Sequence, residues 1–260
     1  VQRCFVGLRS TGLCDDLIGY IGKYLPVLTD ENIYPAVYAW CEGRKSKEYI
    51  EAMYGHIREW DVSRVTNMSE LFYEKFKFND NISGWNVFNV TDMSSMFEDA
   101  TSFNQPLNNW DVSNVTDMTS MFDGAESFNQ PLNDWDVSKV TNISYIFRSA
   151  KSFNQPLNNW NVSNVTHMIC MFAYAESFNQ PLNGWNVSNV TDMNSMFKHA
   201  LSFNKNINNW NVSNVTNMVD MFFRARSFNQ PLDNWKVSKV VSMMGMFAYA
   251  ESFDQLINYL

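Results

Sequence analysis

TSFNQPLNNWDVSNVTDMTSMFDGA, residues 101–125, is one copy of a unit that recurs along most of the chain. Its tryptophan belongs to the series Trp60, Trp85, Trp110, Trp135, Trp160, Trp185, Trp210 and Trp235, spaced by 25 residues with no insertion or deletion. A strict period of this size marks a solenoid, in which each repeat is one coil stacked on the next. Motifs inside such an array are copies of a structural template before they are anything else.

Read vertically, the repeats form columns. Phe78 to Phe253, Val65 to Val240 and Phe72 to Phe247 are unbroken at 25-residue steps. Each repeat is a replicate of one structural problem, so invariant apolar columns must face inward, and stacked coils can bury what a single coil cannot. Met118, Met121, Phe122 and Ala125 follow i, i+3, i+4, i+7, which predicts a two-turn helix capped by Ser113 or Thr116 and too short to stand alone. In the other half, Trp110 and Val112 alternate as a strand would. Pro106, with its counterparts Pro131, Pro156, Pro181 and Pro231, limits that strand to a very short one. The expected fold class is therefore α/β: a solenoid of eight 25-residue coils, each with a short parallel strand and a short helix, strands stacking at ~4.8 Å. Asn79 to Asn229, ending in Asp254, should form a ladder whose amides satisfy turn backbone and one another.

Two regions follow from this reading. Residues 60–260 are the array and residues 1–59 a helical N-terminal cap, with Thr29 as the N-cap before YPAVYAWCEG. The ends depart from the template: Lys75 and Lys77 stand where Ala and Ser are usual, and Leu256 and Leu260 replace Pro and Trp. Seven basic and eight acidic residues precede Trp60; twelve and nineteen follow, within a net charge of −8. An acidic repeat surface argues against nucleic acid as partner and leaves room for a basic protein. Cys4, Cys14, Cys41 and Cys170 show no paired spacing, which suits a reducing compartment rather than a disulfide framework. No apolar run reaches the ~18 residues of a membrane span. No secretory leader is legible, although a start at Val1 leaves a removed leader open.

The unit M-F-x-x-A-x-S-F-N-Q-P-L-x-x-W-x-V-S-x-V-T-x-M resembles the BspA-like leucine-rich-repeat family. The closer likeness is to its 25-residue branch, known from mycoplasma-type lipoproteins and bacterial surface proteins, and it covers residues 60–260. The resemblance implies a leucine-rich-repeat-like α/β solenoid with binding or structural roles and no catalytic residues. Leu28–Trp60 is similar to the lead-in of such arrays in large DNA viruses and some protists. LCDDLIGYIGKYLP, Leu13–Pro26, looks faintly like the start of an F-box, without its usual proline and with Gly19 and Gly22 weakening a helix.

Candidate chemistry is sparse. His56, His167 and His199 are not paired at ligand or catalytic spacing, so structural roles are expected. Asp111, Asn114 and Asp117 lack the glycine-rich turns of calcium-binding solenoids and read as turn residues. Eleven N-x-S/T sequons, Asn114 and Asn164 among them, arise largely from the N-V-S-N-V-T template itself. The methionine columns read as core filling. With no asymmetric constellation of polar residues, the chain is expected to be no enzyme and to need no cofactor or metal.

The expected function is a structural or protein-interaction solenoid within a larger assembly, a virion or surface layer, with an intracellular or virion setting favoured over secretion. The alternatives are an F-box-type substrate adaptor contacting its scaffold through Leu17 and Ile18, and an extracellular adhesin or lectin. Positions that vary between repeats should be exposed, and among them Phe223 and Tyr249 stand out as contact candidates.

Overall fold

The computed structural model describes residues 27–257. Within each 25-residue coil the unbroken columns turn inward. Trp110, Val112, Val115, Met118, Met121, Phe122, Phe103 and Leu107 are each at most 3% exposed, and their counterparts from coil to coil form one continuous core. Identical side chains stack: Trp85 on Trp110 at 6.5 Å between ring centroids and 4° between planes, Phe97 on Phe122 at 5.5 Å and 5°. From Trp85 to Trp235 each buried indole N–H donates to the backbone carbonyl 28 residues earlier, as Trp135 Nε1 does to Leu107 O at 3.0 Å.

The backbone differs from the expected strand-plus-helix coil. Neither an α-helix nor a multi-residue strand forms between residues 60 and 257; single parallel bridges join the Asn67–Asp92–Asp117 column from coil to coil. Residues 93–100 show what replaces the helix. The N–H groups of Met93, Ser95, Phe97 and Asp99 donate to Asp117, Thr119, Met121 and Asp123 of the next coil, while those of Met96, Glu98 and Ala100 close turns on the carbonyl three residues back. Ser94 N–H donates to Asp92 Oδ1. All eight donors are satisfied, whereas an isolated two-turn helix leaves its first four unpaired. Ser95 (φ 52°) and Asp99 (φ 57°) are left-handed, and this recurs twice per coil, which excludes helix. The spacing i, i+3, i+4, i+7 was a genuine inward face, produced by consecutive turns rather than by α-helix.

The strand expected near Trp110 is also absent. Pro106 removes a donor there, and contact across coils passes through asparagine instead: Asn104 N–H and Gln105 Nε2 both donate to Asn79 Oδ1, at 2.9 and 3.1 Å. The arrangement repeats up to Asp254 N–H on Asn229 Oδ1. Each ladder asparagine oxygen thus accepts a backbone N–H of the next coil, in most coils together with a glutamine amide, and the ladder asparagines do not bond to one another side chain to side chain. No buried side-chain nitrogen or oxygen among the described residues lacks a partner.

Ahead of the first coil lie α1 (Ile33–Cys41), α2 (Arg44–Tyr54) and a 3-10 turn, Ile57–Glu59. The N-cap of α1 is Asn32, not Thr29; the Asn32 amide oxygen instead accepts the Thr29 N–H. Helix α1 buries Ile33, Ala36, Val37 and Trp40 against the array. Asp30 accepts the Thr66 N–H, the Thr66 hydroxyl and the Asn67 N–H. The Tyr34 hydroxyl donates to Ser69 O, occupying a first-coil carbonyl of the kind that accepts from the preceding coil elsewhere in the stack. Leu17 and Ile18 lie outside the described residues.

Candidate interaction surface

The turn ribbon of each coil carries two adjacent variable columns, those of Asp123 and Gly124; Asp123, Gly124 and Ala173 are buried, and the other members are partly or fully exposed. At the first coils they hold Glu74, Glu98 and Asp99; further along they hold Tyr174, Lys198, His199, Phe223, Arg224 and Tyr249. The first coils thus place carboxylates in these columns beside the exposed Tyr73, and the last four coils place rings and cations there.

At the cationic end four rings run from coil to coil. Tyr174 stacks on His199 at 4.6 Å, His199 lies 5.9 Å from Phe223, and Phe223 meets Tyr249 edge-on at 5.4 Å. The guanidinium of Arg224 sits over both Phe223 (5.5 Å) and Tyr249 (5.2 Å), and Lys198 Nζ lies 4.9 Å from Phe223. Lys198 is paired with Asp220 at 2.9 Å, but Arg224 has no carboxylate in ion-pair range among the described residues. Burial, with Arg224, Lys198 and Arg226 close by, holds the His199 imidazole below its usual value, so it is neutral at neutral pH. Tyr249 is 66% exposed, Tyr174 39%, and Phe223 is half-buried. Large aromatics beside a hydrogen-bonding cation make up the residue classes that dominate protein contacts.

Phe223 and Tyr249, singled out from sequence, are thus neighbours. Tyr174, His199, Lys198 and Arg224 were not singled out; their signal was that they occupy the same two columns one to three coils earlier. Among the described residues no group of three or more His, Cys, Asp or Glu is placed to hold a metal, and no helix is long and apolar enough to cross a membrane. Cys41 and Cys170 are free thiols, and burial pushes both above their usual range, Cys41 to about 11.

Inward columns that repeat and outward columns that vary define a tandem-repeat protein. The chain belongs to the family described as mycoplasma protein of unknown function, DUF285, which matches residues 45–158, 107–201 and 141–259. No curated protein matches the chain.

Proposed function

We propose that the chain is a non-catalytic protein-interaction solenoid of leucine-rich-repeat type, similar to the BspA-like proteins, with an N-terminal cap, and that it serves as a component of a larger assembly such as a virion or surface layer. Membership of a repeat-built family supports this reading. So does the use of the repeated positions for core and turn, which leaves function to the variable columns. The observation that carries it is the row Tyr174–His199–Phe223–Tyr249 with its unpaired Arg224. An exposed aromatic row with cations lying over it has the residue composition of a protein contact surface, which supports this reading.

The test uses residues that other coils already carry in the same columns. Phe223→Ala copies Ala173, and Tyr249→Ser copies Ser149, so the fold is retained. Association is followed in the native source by co-purification and mass spectrometry. The expected result is a stoichiometric partner bound by the natural chain and lost in the double variant. A chain that is monomeric and unassociated in every fraction overturns the proposal, as does a partner that the double variant keeps.

A further inference from the structure

A concave site lies at the other end of the array, where α1 and α2 meet the first coil. It is a cleft of about 480 Å³ lined by Trp40, Cys41, Gly43, Arg44 and Lys47 from the helical side and by Glu74, Lys75, Phe76, Lys77, Phe78 and Asp80 from the coil. We infer that this cleft docks an acidic peptide segment carrying an aromatic or aliphatic anchor residue.

The charge argument starts from the template. The column of Lys75 is alanine in every later coil and is fully buried in Ala100, Ala125 and Ala150. The column of Lys77 is serine in every later coil. Both exchanges fall in the one coil that faces helices instead of another coil, and both place an ammonium at the cleft. Arg44 is engaged by Glu48 at 2.9 Å and Lys47 by Asp80 at 3.5 Å; neither Lys75 nor Lys77 has a carboxylate in range among the described residues. Two uncompensated cations in a chain of net charge −8 call for an anionic partner.

The apolar argument is separate. Phe76 is 53% exposed and Tyr38 56%, with Lys75 Nζ 4.9 Å from the Tyr38 ring. Trp40 is fixed from both sides: its Nε1 donates to Asp80 at 2.9 Å and Lys47 Nζ lies 4.0 Å from its ring. An anchor side chain seated on Phe76 would therefore meet a held wall, with acidic neighbours reaching Lys75 and Lys77. Glu74 and Asp80 also line the cleft, so a partner with a few carboxylates spaced to reach Lys75 and Lys77 is favoured over a nucleic acid, whose continuous row of phosphates would face both carboxylates as well. Burial pushes the Cys41 thiol up to about 11, so it is protonated at neutral pH.

The experiment is fluorescence anisotropy of a labelled peptide of alternating glutamate and phenylalanine, titrated with the full chain. A lysine-for-glutamate peptide and a single-stranded oligonucleotide serve as comparisons. The variant Lys75→Ala/Lys77→Ser restores the template residues and keeps the fold, which circular dichroism checks. The acidic peptide is expected to bind, to weaken with salt, and to lose at least about tenfold in affinity with this variant. Phe76→Thr, copying Thr101, weakens binding without changing its salt dependence, and Phe223→Ala/Tyr249→Ser leaves it unchanged. Absence of binding, undiminished binding by Lys75→Ala/Lys77→Ser, or equal binding of the oligonucleotide overturns the inference.

Discussion

Asp123 is 3% exposed, the one charged side chain among the described residues that is fully withdrawn from water. Arg148 from the next coil donates Nε to both carboxylate oxygens, at 2.9 and 2.7 Å. Burial nevertheless dominates and pushes the carboxyl up to about 6; Arg148 opposes the shift, and Glu98 and Asp99 add to it. The unfolded chain releases this proton near 3.8, the folded chain near 6. Stability is therefore greatest with respect to this group below about pH 4 and falls as pH rises through 6, by up to roughly 3 kcal/mol. Asp61 and Asp136, held low chiefly by hydrogen bonds from Ser63 and Ser138, have the opposite slope. The informative quantity is thus a difference. Urea unfolding at pH 4 and pH 6.5 is expected to show the loss in the natural chain and its removal in Asp123→Asn. Equal pH dependence in the two proteins would exclude the assignment.

At the scale of the element, the turn ribbon and a helix make opposite predictions for one substitution. Ser120 has φ 57°, its N–H donates to Ser144 O of the next coil, and its own carbonyl accepts from Asp123. In a helix, Ser120→Gly would cost on the order of 0.5 kcal/mol. At a left-handed position glycine relieves strain of roughly 1 kcal/mol, more than its added chain entropy removes. Thermal unfolding is expected to show a melting temperature equal to or above that of the natural chain; a clear decrease would speak for helix. The same comparison shows how far the sequence could be read. Met118, Met121, Phe122 and Ala125 were recognisable as an inward face, because burial leaves its mark on residue type. Their backbone was not, because a run of four-residue turns and a helix place nearly the same positions inside. What separates them is the route of alternate N–H groups to the next coil, a contact 24 residues away that leaves no local trace. The surface row was half legible for a related reason. Phe223 and Tyr249 stood out against their columns, but the ring sequence through His199 to Tyr174 depends on which two columns share an edge. The cleft was visible only as two anomalous lysines.

For the whole molecule, each coil touches only its neighbours, so stability is a sum of coil and interface contributions and depends on position along the stack. Phe172 and Phe247 occupy the same column. Phe172 is fully buried and stacks on Phe147 at 5.8 Å and on Phe197 at 5.6 Å. Phe247 is only partly buried and stacks along the column on Phe222 alone, at 5.6 Å. In its coil Val237, Val240, Met243 and Phe253 are likewise partly exposed, although their counterparts in Val162, Val165, Met168 and Phe178 are at most 1% exposed. Phe172→Ala removes two stacked faces and opens a cavity inside the stack, at a cost of about 3–5 kcal/mol. Phe247→Ala removes one face beside water, and about 1–2 kcal/mol is expected from the smaller apolar area lost. Hydrogen exchange gives the spatial check. Amides of the turn ribbon should be best protected near residues 143–175 and progressively less so toward residue 250. Phe172→Ala should lower protection in the coils on both sides of it, whereas Phe247→Ala should leave the central coils as they were. Uniform loss along the whole array in both variants would show that the coils unfold as a single unit and would refute the additive description.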